Sequence, residues 1–337
     1  MKGRKKSIAK KRGSGLRRAI AWPLLAAGAW IAYSKLFINH DEPLPEAMTA
    51  KRVVFRSKLG LNLNYYVDRQ AVGRPLLLIH GMNSAASAYE IRPLFEHYRA
   101  SRPVYALELP GFGFSDRPDR AYTPAYFSEA ILDFLETQVE ETADVLALSL
   151  SCEFVARAAV AQPERFHSLQ FISPSGLGDG PGGAALQLIK PGDTAEKVYG
   201  LLGNPLWSQA IFDLMSVRIS LAHLYRLYFV DRVPVDLVDY AYATAHQPGA
   251  RHVPLALISG RLSTPDIRTR YYERLNVPTL ALFDRDPFAN FDMLPHLLGE
   301  NENWQEARIV NSQGMPHFEN LAASAQALDG FWQSIIA

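Results

Sequence analysis

The chain has 337 residues, of which 48% are hydrophobic and 20% are charged. This length and composition suit one large folded domain or two ordinary ones, and exclude a largely disordered chain. The net charge of +1 conceals an asymmetry: residues 1–18 hold nine of the 35 basic residues, so the rest carries 26 basic against 34 acidic residues. An acidic body argues against nucleic-acid binding. Cys152 is the only cysteine, which excludes an intramolecular disulfide and zinc sites built from paired cysteines.

The amino-terminal 40 residues contain no Asp or Glu. A basic leader over 1–18 precedes an uncharged, mostly apolar run over 19–33, and this order predicts a membrane anchor with the body on the non-cytoplasmic side. The run is shorter than the roughly 20 residues of a full span, although residues 36–38 extend it. The same pattern also fits export with cleavage of a signal peptide near residues 27–29, a mitochondrial targeting segment, or a soluble basic tail.

Short apolar runs alternate with helical patterns through the first half of the body. Residues 52–55 and 61–67 read as two strands of a hairpin. Further strands are predicted over 75–80, 104–107, 145–148 and 168–172, and helices over 86–98, 126–136 and 150–161. Strands that alternate with helices predict a parallel sheet with right-handed crossovers.

The alternation stops between residues 174 and 260. Helices are predicted there over 195–202, 207–215, 219–230 and 235–246, after a glycine-rich loop over 176–183. The alternation returns with a strand over 278–283, a helix near 291–298, a strand near 308–310 and a final helix over 321–336. We therefore expect a leader and anchor in 1–40, a linker in 41–51, a core made of 52–173 and 261–337, and a helical insertion in 174–260.

Ser149 stands between the predicted strand 145–148 and the predicted helix 150–161. A serine on a sharp strand-to-helix turn has the geometry of a nucleophile elbow, usually written G-x-S-x-G. Here the small residues Ala147 and Ser151 replace both glycines. Serine is also a favoured helix N-cap, so the residues alone leave both interpretations open.

The order of these motifs resembles the α/β-hydrolase superfamily over about 52–337. The resemblance implies a mostly parallel eight-stranded sheet with helices on both faces and a helical cap over 174–260. It also implies that Ser149 is the nucleophile. A serine there argues against the branches that use aspartate, the dehalogenases and epoxide hydrolases.

The resemblance places the other two catalytic side chains near the carboxyl end. His317, in the sequence Gly-Met-Pro-His-Phe-Glu, matches the family's base, which takes the serine proton. Asp286 matches the acid that orients the histidine, and Asp284 in the same loop is the alternative. The order Ser149, Asp286, His317 is the order of this fold.

The oxyanion hole implied by the resemblance uses the backbone N–H groups of Met82 and Leu150. This chemistry needs no metal or cofactor. Apolar residues of the insertion, Leu201, Leu202, Phe212, Leu214 and Met215, suggest a pocket for a lipophilic substrate or simply the core of the insertion.

The function expected from the sequence is a membrane-tethered serine hydrolase that cleaves carboxylic esters of a lipophilic substrate. The alternatives are a non-catalytic binding protein of the same fold, an acyltransferase and a carbon–carbon bond hydrolase. The residues do not indicate an oligomeric state, an acyl chain length or an alcohol.

Overall fold

The computed structural model describes residues 13–178 and 192–335, with the side chains of 13–21 left out. Most of the basic leader and of the glycine-rich loop over 176–183 therefore lies outside the described residues.

One mixed sheet organises the described residues. Its strand order is β1-β2-β4-β3-β5-β6-β7-β8. The β1–β2 and β2–β4 pairs are antiparallel, and all the other pairs are parallel. The strands are β1 (Lys51–Arg56), β2 (Asn62–Asp68), β3 (Leu76–Ile79), β4 (Val104–Glu108), β5 (Ala143–Leu148), β6 (Phe166–Ile172), β7 (Thr279–Phe283) and β8 (Trp304–Arg308). The predicted eight-stranded α/β sheet is confirmed.

Helices occupy most of the connections between the strands. The first helices are α1 (Gly13–Phe37), α2 (Arg92–Tyr98), α3 (Pro124–Phe134) and α4 (Ser151–Ala161). After β6 come α5 (Asp193–Leu202), α6 (Ser208–Ser216), α7 (Arg218–Leu227), α8 (Val235–Ala245) and α9 (His252–Ile258), which we call the cap. The remainder are α10 (Ile267–Arg270), α11 (Leu294–Glu300), α12 (Pro316–Glu319) and α13 (Leu321–Ser334). The exact domain bounds expected from the sequence stay a prediction.

Alternating strand residues build a core on each face of the sheet. In β3, Leu77 and Ile79 join one apolar cluster, whereas Leu76 and Leu78 join the other. All four are fully buried, as expected of a central parallel strand. Helices α3, α4 and α9 contribute to the core on the first face, while α2, α13 and the cap helices α6, α7 and α8 contribute to the second.

Helix α1 packs against helix α6 of the cap. The Trp30 indole N–H donates to the Ala210 carbonyl at 2.7 Å, and the Ser34 hydroxyl donates to the buried Asp213 carboxylate at 2.6 Å. His40, just beyond the helix, lies 3.0 Å from the same carboxylate. The carboxyl-terminal half of α1 is therefore attached to the cap, whereas residues 22–29 are exposed.

Among the described helices, none combines the length and the apolar content needed to cross a bilayer.

The sequence predicts no counterpart of α9, α10 and α12, and two predicted elements differ clearly from those observed. The last strand spans Trp304–Arg308 and not 308–310, because β8 is an edge strand whose middle residues face solvent and carry no apolar signal. The helix expected over 86–98 is divided into a 3-10 turn at Ala88–Ile91 and α2. Pro93 lies in the first turn of α2, where its missing N–H costs nothing.

Candidate active site

Ser149 occupies the sharp turn between β5 and α4. Its backbone φ is +57°, a left-handed conformation that costs a non-glycine residue on the order of 1–2 kcal/mol. The Ser149 N–H donates to the Ile172 carbonyl at 2.8 Å, which ties the turn to the end of β6. Backbone strain held in place by neighbouring elements is characteristic of functional sites, and here it presents Ser149 at the carboxyl edge of the sheet.

The two residues that replace the elbow glycines have clear packing roles. Ala147 is fully buried within the core on one face of the sheet. The Ser151 hydroxyl donates to the His80 carbonyl at 2.7 Å and so links α4 to the end of β3. The substitutions are therefore compatible with an elbow, because one residue fits the space and the other uses its hydroxyl to bind the adjacent strand.

The Ser149 side chain itself is half-buried. Within the described residues its hydroxyl has no hydrogen-bond partner. The hydroxyl is thus available to react, but it is not paired with a base in this structure.

His317 is fully buried at the start of α12, after β8. Its Nε2 atom lies 2.6 Å from the Glu90 carbonyl oxygen. Because a carbonyl only accepts, Nε2 carries the proton and Nδ1 does not. Nδ1 has no partner among the described residues. Burial lowers the pKa of His317 to about 4, so the ring is neutral at physiological pH.

Asp286 lies in the loop after β7 and is partly buried. One carboxylate oxygen accepts from the N–H groups of Phe288 and Ala289 at 2.7 and 2.8 Å, and the other has no partner among the described residues. Burial raises the pKa of Asp286 to about 6, against the opposing effects of these two N–H donors and of the nearby Ser173 side chain. An unsatisfied buried carboxylate oxygen is costly and requires a functional or structural account.

Asp284 has a different set of partners. Its carboxylate accepts from Arg308 Nε at 2.7 Å and from the Ser312 N–H at 3.2 Å, and Arg285 Nε lies 3.9 Å away. These contacts join β7 to β8 and satisfy both oxygens. Asp284 therefore has a complete structural role, whereas Asp286 does not.

The acid and histidine loops touch at Gly314. A Cβ atom on Gly314 would lie 2.7 Å from Asp286 Oδ2 and 2.6 Å from Tyr228 Cδ1, so glycine is needed for this approach. The loops after β5, β7 and β8 also leave the same edge of the sheet. No hydrogen bond, however, joins Ser149, Asp286 and His317 in the part of the chain that the structure describes.

The expected oxyanion donors lie at the ends of two neighbouring strands. Met82 follows β3 and Leu150 precedes α4, and β3 pairs with β5. Neither N–H forms a hydrogen bond to another described residue. Both N–H groups are therefore free to donate to an anionic oxygen, as an oxyanion hole requires.

Two buried residues near this edge were not predicted from the sequence. Glu90 contacts both the 81–83 turn and His317, and Tyr225 of α7 donates to the Glu90 carboxylate at 3.0 Å. The only sequence signal was a glutamate inside a mostly apolar stretch, and nothing in that stretch indicates its partners.

Three of the five apolar cap residues singled out from the sequence are either exposed or packed in the core. Leu201 and Leu214 are more than half exposed, at 62% and 54%. Phe212 is fully buried in the core shared by the cap and the sheet. The cap therefore presents apolar side chains to its outer surface as well as to its interior.

One group of side chains could supply several metal ligands. Atoms of Glu273, His296 and Glu300 lie within 4.8 Å of one another, on exposed or partly exposed residues. His296 and Glu300 are one helical turn apart, and Glu273 is also paired with Arg268. This arrangement is that of a surface ion-pair network, and it gives no reason to assign a metal.

A family model described as alpha/beta hydrolase family matches residues 76–327, well over half of the chain. The chain belongs to the alpha/beta hydrolase family. Within it, curated relatives include 2-hydroxymuconate semialdehyde hydrolase of Pseudomonas sp. strain CF600, 29% identical over 36% of this chain and 44% of that protein. Pimeloyl-[acyl-carrier protein] methyl ester esterase of Aeromonas salmonicida is 33% identical over 32% of this chain and 41% of that protein.

These alignments span less than half the length of each curated relative, so the activity of a relative is not assigned to this chain from them. Among solved structures, a membrane phospholipase A described as a bacterial virulence factor is 20% identical with a TM-score of 0.63. The match covers 96% of this chain and 97% of that one. At this identity the likeness concerns the fold alone.

Proposed function

We propose that this protein is a serine hydrolase that cleaves a carboxylic ester of a lipophilic substrate. The observation that carries the proposal is the strained turn of Ser149 at the carboxyl edge of a family-typical sheet. Two further observations support it. His317 is fully buried after β8 and Asp286 is partly buried after β7, and each has one buried polar atom without a partner among the described residues. The names of relatives that are esterases or hydrolases agree with this class.

In the proposed reaction, Ser149 Oγ attacks the ester carbonyl carbon while its proton moves to His317 Nε2. The N–H groups of Met82 and Leu150 bind the resulting oxyanion. The intermediate collapses, the proton passes from His317 to the departing alcohol, and an acyl-Ser149 ester remains. Water, deprotonated by the same nitrogen, then releases the carboxylic acid and restores the serine.

This role requires a change at His317. In the structure Nε2–H donates a hydrogen bond to the Glu90 carbonyl. A general base instead needs an unprotonated Nε2 directed at Ser149. The proposal therefore includes release of His317 from Glu90, with the ring proton moving to Nδ1 so that Nδ1–H faces the unsatisfied oxygen of Asp286. Both of the unpartnered buried atoms gain a hydrogen bond in that arrangement.

The substrate class can be tested with a series of p-nitrophenyl esters from acetate to laurate. We expect turnover of the series, with kcat/KM rising by up to about fourfold for each methylene that enters an apolar site. Product analysis with an added alcohol acceptor separates hydrolysis from acyl transfer. A folded protein that turns over no ester in the series would contradict the proposal and favour a binding protein or a carbon–carbon bond hydrolase.

We also propose that α1 tethers the protein to a membrane surface. Trp22, Leu24 and Leu25 are 71%, 67% and 66% exposed, and residues 22–29 are exposed on every side of the helix. A helix that is apolar all round is unfavourable in water and is stabilised by lipid or by another protein. The basic leader that precedes it would add attraction to anionic headgroups.

The tether can be tested with the double variant Leu24→Glu/Leu25→Glu in the full chain. We expect flotation with liposomes that contain anionic lipid to fall by about fivefold or more, because two charges would enter the apolar region. Val72→Glu is the matched control, since Val72 is 95% exposed in the loop between β2 and β3. If the double variant floats as well as the control, α1 is not the tether.

A further inference from the structure

Glu90 is a fully buried carboxylate directly behind the expected oxyanion hole. Its Oε2 accepts from the Gly81 N–H at 3.0 Å, and its Oε1 accepts from the Asn83 side-chain amide at 2.6 Å. Gly81 and Asn83 are the two neighbours of Met82. One carboxylate therefore holds both sides of the residue whose N–H is the proposed oxyanion donor.

The same carboxylate is bound by the cap. The Tyr225 hydroxyl of α7 donates to Glu90 Oε1 at 3.0 Å, and Tyr225 is itself fully buried. Tyr225 belongs to a segment of the chain 135 residues away from Glu90, so this hydrogen bond joins the cap to the sheet. A shift of α7 would break or stretch a bond to the group that fixes the 81–83 turn.

The main chain of Glu90 contacts the proposed base. Its carbonyl oxygen accepts from His317 Nε2 at 2.6 Å. One residue thus touches the oxyanion turn, the histidine and the cap. Stability alone does not account for a glutamate here, because a buried carboxylate pays a large desolvation cost that an apolar residue of similar size would avoid.

We propose that Glu90 is a positioning residue: its carboxylate orients the Met82 N–H toward the oxyanion and, through Tyr225, makes that orientation depend on the position of the cap. This inference rests on the proposed serine hydrolase function. Catalysis by preorganised donors requires their direction to be fixed before the reaction, and a hydrogen-bonded carboxylate behind the turn does this. Because of the hydrogen bond from Tyr225, the Met82 N–H has the direction needed for catalysis only when the cap is packed on the sheet.

The test compares Glu90→Gln, Tyr225→Phe and the double variant with the wild-type protein. Glu90→Gln preserves size, but its amide nitrogen cannot accept from Gly81 or Asn83. We expect kcat for a short ester to fall about 10- to 100-fold with KM within about threefold, because an oxyanion donor acts in the transition state and not on ground-state binding. Tyr225→Phe should lower kcat about three- to tenfold.

The double variant carries the decisive comparison. If Tyr225 acts through Glu90, the double variant should be within about twofold of Glu90→Gln alone, whereas independent effects would multiply. Tyr240→Phe is the matched control: this buried cap tyrosine has no hydrogen-bond partner for its hydroxyl among the described residues, and kcat should stay within about twofold.

Several results would overturn the inference. They are an unchanged kcat in folded Glu90→Gln, a loss confined to KM, or multiplicative losses in the double variant. If Glu90→Gln does not fold, Tyr225→Phe decides by itself, since it leaves the carboxylate in place; an unchanged kcat then refutes the role of the cap. Failure of the proposed function is seen separately, as an absence of ester turnover in the wild-type protein.

Discussion

Replacing Ser149 with alanine should lower ester turnover by a factor of about 10³ or more while leaving the fold intact. The hydroxyl is the proposed attacking group, so its loss removes the acyl-enzyme route. It has no hydrogen-bond partner within the described residues, and the fold therefore does not depend on it. Steady-state rates with a p-nitrophenyl ester, together with the thermal unfolding midpoint, measure the two effects.

Ser151→Ala is the natural control, because Ser151 is two residues away on the same turn. Its hydroxyl donates to the His80 carbonyl, so the variant should lose about 1 kcal/mol of stability and keep most of its turnover. If Ser151→Ala is inactive and Ser149→Ala retains near-normal rates, the nucleophile has been assigned to the wrong serine.

The second large effect is expected at His317. His317→Gln keeps a side-chain amide that can donate to the Glu90 carbonyl, but glutamine cannot take a proton from Ser149. We expect kcat to fall by about 10³-fold or more, with a small change in KM. His296→Gln, an exposed histidine on α11, should retain the wild-type rate and serves as the control. Near-normal turnover in His317→Gln would exclude His317 as the base.

The pH profile connects this prediction to Asp286. Burial raises the pKa of Asp286 to about 6, so the ionised form that stabilises a protonated His317 is lost as the pH falls through about 6. His317 is neutral in the free protein down to about pH 4. Burial also raises the pKa of Glu90 to about 7. Because both carboxylates act in ionised form in the proposed mechanism, kcat/KM should begin to fall below about pH 7 and should fall about tenfold per pH unit or more below about 6.

The central strands were predictable because they are parallel and buried on both faces. β3 and residues 145–148 of β5 are continuous apolar runs buried on both faces, so their hydrophobicity indicates a central strand directly. β8 was placed too late because an edge strand needs burial on only one side. Its one strong apolar residue, Trp304, lies at the start of the strand, while Ile309 and Val310 follow it.

The candidate site was only partly predictable. The positions of Ser149, Asp286 and His317 follow from the order of strands and loops, which a resemblance can transfer. The hydrogen bond from His317 to the Glu90 carbonyl joins residues 227 positions apart, and no local pattern encodes it. The same is true of Tyr225, whose partner is determined by how the cap packs on the sheet.

The choice between Asp284 and Asp286 illustrates the same limit. Both residues are aspartates in the same loop, and the sequence distinguishes them only by the proline after Asp286. Their partners differ in three dimensions: Asp284 is paired with Arg308, whereas one oxygen of Asp286 has no partner among the described residues. Electrostatic environment, more than loop position, now favours Asp286 as the acid.

The most direct test of the account is the mass of the intact protein after treatment with a fluorophosphonate, followed by mapping of the modified peptide. A serine oxygen attacks the phosphorus of such a reagent and displaces fluoride when a neighbouring base takes the serine proton. We predict one adduct per chain, located on Ser149 and absent from both Ser149→Ala and His317→Gln. A folded wild-type protein that remains unmodified, or an adduct on a different serine, would contradict the account.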